Sequence, residues 1–171
     1  MTLETNLTMI KLLLNDIRSG AKYNSNDTRS MRYIFCNVYN AATHERLGID
    51  KGIDSPDFAY MSERFKEKWE SLGKPAGGDA LKKFGIHEHV VPLNILIQKM
   101  VEECTDEKSI YDFLSKHNRI VFVTKEEDKM LNEAGYQRMM PENGDRYSAV
   151  GIKVHPEPIV YKNFVKHRKT K

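Results

Sequence analysis

The run Lys74-Pro75-Ala76-Gly77-Gly78 constrains this chain more than any other feature. Proline has no amide hydrogen and glycine adopts backbone angles closed to other residues, so neither a helix nor a strand is expected to pass through it. The chain divides there into two parts with different patterns. Before it, apolar residues recur at helical spacing. Residues 7–17 carry Leu7, Ile10, Leu13, Leu14 and Ile17 on one face, with Gly20 placed to end the helix. Residues 19–28 are small and polar and read as a loop in which Asp27 or Thr28 caps the second helix. Met31, Ile34, Phe35, Val38 and Ala42 then predict that helix over 29–46, although 33–39 is rich in β-formers. Asp54-Ser55-Pro56-Asp57 reads as a helix start, leading into a Phe58, Met61, Phe65, Trp69, Leu72 face that Gly73 closes. Residues 1–73 are therefore expected to be a helical part.

Residues 79–171 read differently. After a short helix at 79–83, residues 84–91 form a predicted strand that stops at Pro92. Helices are expected over 93–103 and over 105–117, the second capped by Thr105. Residues 120–123 are a short β-branched strand. Thr124-Lys125-Glu126-Glu127 is a capping-box pattern opening a helix that Leu131 packs and Gly135 ends. Residues 139–145 are turn-rich, and the apolar pattern of 146–154 fits a short helix or a strand. The last ten residues hold Lys162, Lys166, Arg168, Lys169 and Lys171 and no acid. The expected class is α+β, mostly helical, with both parts in one compact domain.

At 171 residues the chain is long enough to bury a sizeable core. Its longest apolar patches fall far short of the roughly 20 residues that cross a bilayer. Residues 1–6 lack the basic and apolar pattern of a secretory signal. Cys36 and Cys104 are far apart in apolar or amphipathic surroundings and read as buried free thiols, so a cytoplasmic location is expected. A net charge of +3 does not imply nucleic-acid binding.

The residues that point to chemistry are Ile86-His87-Glu88-His89-Val90-Val91-Pro92, then His117-Asn118-Arg119 before the second strand, then Glu126-Glu127-Asp128 in the helix after it. Glu-His-Val-Val-Pro at a strand end, an asparagine before the next strand and a carboxylate in the next helix resemble the core of HNH (His-Me finger) nucleases. The resemblance covers about 84–135 and implies a ββα-metal-like core with inserted helices. It implies a divalent-metal-dependent nuclease acting on DNA more readily than RNA, as in restriction, phage or mobile-element biology. His89 would be the general base, Asn118 would hold its imidazole, and Glu88 would ligate Mg²⁺ or Mn²⁺ with Glu127 or Asp128. His87 would be a further ligand or a phosphate contact. Arg119 and the tail residues Lys162, Lys166, Arg168 and Lys169 would meet nucleic acid. Two departures accompany the likeness: the span from His89 to Asn118 is long, and the helix lacks a terminal His or Asn at a clear position.

Each of these residues also has a plainer reading. Glu127 fits the reciprocal half of a capping box with Thr124, which favours Asp128 as ligand. Asn118 fits a helix C-cap after His117. The basic tail fits a solvated terminus. If Ile86, Glu88 and Val90 share one face of the strand, His87 and His89 share the other, and the strand end must twist or bulge for Glu88 and His89 to converge. Two other functions therefore stand beside the nuclease. One is a non-catalytic regulator or inhibitor that binds nucleic acid or a protein, the latter through the N-terminal helices. The other is a metal-independent, toxin-like ribonuclease using His87 or His89 with Arg119 or Arg146.

Overall fold

The computed structural model of the chain describes residues 2–23, 25–48, 57–74, 81 and 83–161. Its first helix, α1 (Leu3–Arg18), begins where the Thr2 hydroxyl accepts the Thr5 amide hydrogen at 3.1 Å. Gly20, at φ +96°, turns the chain out of it. Helix α2 (Ser25–Leu47) starts earlier than the polar run suggested, so the intervening loop is shorter. Its Met31, Ile34, Phe35, Val38 and Ala42 are buried, as their spacing predicts.

Of the stretch read as one helix from residue 54, residues 54–56 lie outside the described residues and the remainder is a strand and then a helix. Residues 57–61 are strand β1 (Asp57–Met61), and α3 (Glu63–Ser71) begins only at Ser62, whose hydroxyl accepts the Phe65 amide hydrogen at 3.1 Å. Phe58, Met61 and Phe65 fit helical spacing, but Ala59 and Met61 also alternate as strand neighbours, and pairing with two other strands decides between the two. The first part is therefore not all helical. Residues 75–80 and 82, which make up most of the linker and of the short helix expected after it, lie outside the described residues.

Strand β2 (Gly85–His89) leads through Pro92 into α4 (Leu93–Glu103) and α5 (Glu107–His117). The cap of α5 is Asp106, not Thr105: its carboxylate accepts the Ser109 amide hydrogen at 2.7 Å in a reciprocal capping box. Strand β3 (Ile120–Thr124) runs directly into α6 (Lys125–Glu133), which Gly135 ends at φ +77°. The open stretch at 146–154 contains a 3-10 turn, Ser148–Val150, and Val154 bridges to Ser62. A last strand, β4 (Ile159–Tyr161), precedes residues 162–171, which lie outside the described residues and include every basic tail residue.

The fold is α+β. The sheet order is β2-β3-β1-β4, with β2/β3 and β1/β4 antiparallel and β1/β3 parallel. Strand β3 is buried at all five positions because both faces are covered. Ile120 and Phe122 pack with Ala59, Met61 and the α3 residue Phe65, while Val121 and Val123 pack with the α6 residue Leu131, Tyr147 and Ile152. Gly85 lies under Phe65, so close that a Cβ there would stand 2.1 Å from the ring.

The helices inserted between β2 and β3 pack on other helices. They join α1 and α2 in one helical layer, with Ile10, Leu14, Phe35, Val38, Leu96, Met100, Ile110 and Leu114 at its centre. Arg18 ties the layer by donating to the carbonyls of Met100, Val101 and Cys104 at the negative end of α4. Cys104 is buried and Cys36 half-buried, and no disulfide joins them. No helix among the described residues is long and apolar enough to cross a membrane.

Candidate functional site

Strand geometry sends successive side chains to opposite faces, and β2 obeys it without a bulge. Gly85 to His89 pair in unbroken register with Thr124 to Ile120. Ile86 packs in the Val121, Leu131, Tyr147 cluster, and Glu88 lies on that face too, bonded to Arg146. His87 lies against the ring of Phe122 on the other face, centroids 4.9 Å apart. Glu88 and His89 therefore do not converge.

His89 and Asn118 do meet. The imidazole Nδ1 is 2.8 Å from the Asn118 side-chain oxygen, and both residues are buried. An amide oxygen only accepts, so Nδ1 carries the proton and Nε2 keeps its lone pair. That Nε2 has no hydrogen-bond partner among the described residues. Burial holds the His89 pKa down at about 4 against the opposing bond to Asn118, and the nearby Arg32 and Arg146 charges lower it further. The ring is neutral at physiological pH. Asn118 is at the same time the C-cap of α5, its backbone amide donating to the Leu114 carbonyl at 3.0 Å, so one residue both caps the helix and bonds the imidazole.

Glu88 belongs to a different centre. Arg146, only 1% exposed, places Nη2 at 3.1 Å from the Glu88 carboxylate. The same guanidinium donates to the carbonyls of Tyr136 and His89 and to the Tyr147 hydroxyl. Glu127 is buried and accepts from the Ser62 hydroxyl at 2.5 Å and the Thr124 amide at 2.9 Å, while its own amide donates to Thr124. It is the reciprocal capping residue and also fastens α6 to the start of α3. Asp128 is half-buried; burial raises its pKa, while the Asn132 amide at 3.1 Å and the Arg146 charge oppose the rise. Arg119 is exposed, its guanidinium 5.8 Å from the centre of the Tyr60 ring.

The divalent cation implied by the resemblance does not fit this donor set. The carboxylate of Glu88 is held by a guanidinium, that of Glu127 by a hydroxyl and an amide at the Gly85 end of the β2/β3 pair, and His89 is at the other end of that pair, on the opposite face of β2 from Glu88. No group of three or more His, Cys, Asp or Glu side chains able to hold a metal ion occurs among the described residues. No protein-family model, curated protein or solved structure matches the chain. The reading of the site therefore rests on its own geometry.

Where β2 ends, a cleft of about 580 Å³ opens between α2, α4 and the loop after α6. Arg32 and Arg138 line it together with Glu88, Tyr23, Leu93 and Asn94. Asn94 donates to the Arg138 carbonyl at 3.1 Å and holds that loop in place. The first turn of α4 contains no acid, and its N-cap, Pro92, offers no side-chain bond. Its positive dipole end is uncompensated. Arg146 counters the Glu88 charge from behind, and no carboxylate among the described residues pairs with Arg32 or Arg138. The cleft is thus net cationic. No pattern in the sequence marks Arg32 or Arg138, and Arg146 stands out there only as a phosphate contact. Arg32 looked like the wet side of an amphipathic helix, and the turn-rich stretch beyond Gly135 gave no periodicity to locate the other two.

Proposed function

We propose that this protein binds the phosphodiester backbone of nucleic acid, duplex DNA in the first place, in the cleft at the end of β2. The scaffold is an HNH-type core used for binding rather than hydrolysis. Support for the scaffold comes from the antiparallel β2/β3 pair leading into α6, with α4 and α5 inserted. The observation that carries the binding reading is the pair Arg32 and Arg138, without acidic partners among the described residues, beside a carboxylate already countered by Arg146. A phosphate entering there meets two unspent guanidinium groups and the open first turn of a helix. Support for the absence of hydrolysis is that Arg146 takes up the carboxylate a cation would need, and that His89 is only 3% exposed. This is the chemistry of a regulator or inhibitor.

The test is anisotropy of a labelled duplex titrated with protein at several salt concentrations. The double variant Arg32→Gln/Arg138→Gln is expected to bind more weakly, with a dependence of log K on log salt shallower by about two units. An unchanged affinity and slope would remove the cleft from the account.

One observation favours a second reading, hydrolysis. The pair His89–Asn118 presents a neutral imidazole with a fixed tautomer and an unpartnered Nε2, the state a general base requires. Its signature is cleavage of DNA or RNA that His89→Ala abolishes. Persistence of RNA cleavage in chelator would assign the metal-independent form of that reaction.

A further inference from the structure

Two smaller cavities, of about 260 and 180 Å³, share Tyr60 of β1 and Arg119 as walls. Neither belongs to the cleft at the end of β2. The larger is bounded by Tyr60, Tyr147, Val121 and Pro156, with Asp145 at its edge. Asp145 uses one carboxylate oxygen to accept the amide hydrogens of Tyr147 and Ser148 at 3.0 and 3.2 Å. The other carboxylate oxygen accepts no bond among the described residues. The smaller cavity is bounded by Tyr39, Thr43, Arg46, Ser115 and the shared pair, and no acid lines it. Arg46 and Arg119 have no carboxylate partner among the described residues.

We infer that these two cavities form one site for a nucleoside monophosphate unit, the base against Tyr60 in the larger and the phosphate between Arg46 and Arg119 in the smaller. Polarity sets the orientation. A phosphate is repelled by Asp145 and attracted by two guanidinium groups, so it goes to the smaller cavity. A base offers a flat face to Tyr60 and an N–H edge to the Asp145 carboxylate, so it goes to the larger. Arg119 lies 5.8 Å from the centre of the Tyr60 ring and is a wall of both cavities, so its charge reaches the phosphate next to the ring that the base stacks against. The larger cavity is below the roughly 300–1,000 Å³ of pockets for drug-sized ligands, which suits one ring system. The unit comes either from a free nucleotide or from a single strand whose bases are unstacked.

The inference goes beyond the duplex-binding reading and stands without it. The experiment is titration calorimetry of the full chain with the four nucleoside 5′-monophosphates, with ribose 5-phosphate and inorganic phosphate as controls. At least one nucleotide is expected to bind more than tenfold tighter than either control. Arg119→Gln and Tyr60→Ala are each expected to weaken it by about tenfold, the size of a lost base stack. Tyr60→Phe keeps the ring and is expected to retain binding, which separates stacking from a folding defect. Arg32→Gln/Arg138→Gln is expected to leave nucleotide affinity unchanged, so that loss of the other cleft is not mistaken for loss of this site. Competition by single-stranded oligonucleotides assigns the unit to a strand, and its absence assigns it to a free nucleotide. Equal binding of inorganic phosphate and nucleotides overturns the inference, as does nucleotide binding that Arg119→Gln and Tyr60→Ala both leave intact. Absence of nucleotide binding overturns it as well.

Discussion

Replacing Glu88 by glutamine tests what that carboxylate is for. Arg146 is 1% exposed and Glu88 18%, so the pair is nearly dry on one side and slightly wet on the other. Removing one partner of a buried ion pair typically costs about 3–5 kcal/mol, because the remaining charge is left without its counter-ion. Here the carbonyls of Tyr136 and His89 stay with the guanidinium, and the Glu88 side is reached by water. Both discounts place the expected loss near the low end, at about 3 kcal/mol. For a chain of this size that corresponds to a melting temperature lowered by about 6–12 °C. The assay is denaturant and thermal unfolding of wild type and Glu88→Gln, each with and without Mg²⁺ or Mn²⁺. A residue that exists to hold a metal behaves in the opposite way: its neutral variant loses little stability in the absence of metal, and the wild type gains stability when metal is added. A loss below about 1 kcal/mol together with a metal-dependent rise in wild-type melting temperature would refute the assignment of Glu88 to Arg146. The double variant Glu88→Gln/Arg146→Met is expected to recover part of the loss, since no charge then remains buried.

Gly85→Ala is expected to cost about 1–3 kcal/mol in denaturant unfolding, because the new Cβ would meet the Phe65 ring at 2.1 Å and the Val123 carbonyl at 2.6 Å; an unchanged midpoint would contradict the packing of α3 on β2. His89 supplies a pH signature. Its folded pKa of about 4 lies below the usual 6.5, so the stability it contributes is fully present above pH 6.5 and is lost as pH falls toward 4, where the unfolded chain binds the proton first. Over that window wild type is expected to lose about 3 kcal/mol more than His89→Gln, and the His89 ring signals in NMR should not titrate above pH 5. Ser62→Ala removes the cap of α3 and a hydrogen bond to buried Glu127 and is expected to cost about 1–3 kcal/mol, with Ser62→Thr recovering part of it.

The helical layer was the most legible part of the chain, because α1, α2, α4 and α5 each bury one stripe and the 3.6-residue period records it directly. The pairing of His89 with Asn118 was legible only through the likeness to HNH nucleases, since 29 residues separate them and no local pattern links the two. Strand β1 was missed for a specific reason. Its apolar residues satisfy both a helical and an alternating period over five positions, and the pairing that decides between them comes from β3, some sixty residues later in the chain. The buried arginine was missed for another: nothing in Asp145-Arg146-Tyr147 distinguishes a charge that will be enclosed from one left in water, because its partners arrive from β2 and from the turn after α6. Alternation along β2 puts Glu88 and His89 on opposite faces unless the strand end twists or bulges, and the register with β3 is unbroken.

The central claim is binding without hydrolysis, and a single incubation reads both. An end-labelled DNA duplex is held with excess protein, in Mg²⁺, Mn²⁺ or chelator, and is scored for complex on a native gel and for strand length on a denaturing one. The account predicts a shifted duplex recovered at full length in all three conditions, with His89→Ala shifting it equally. Shortened strands with wild type and intact strands with His89→Ala would contradict it.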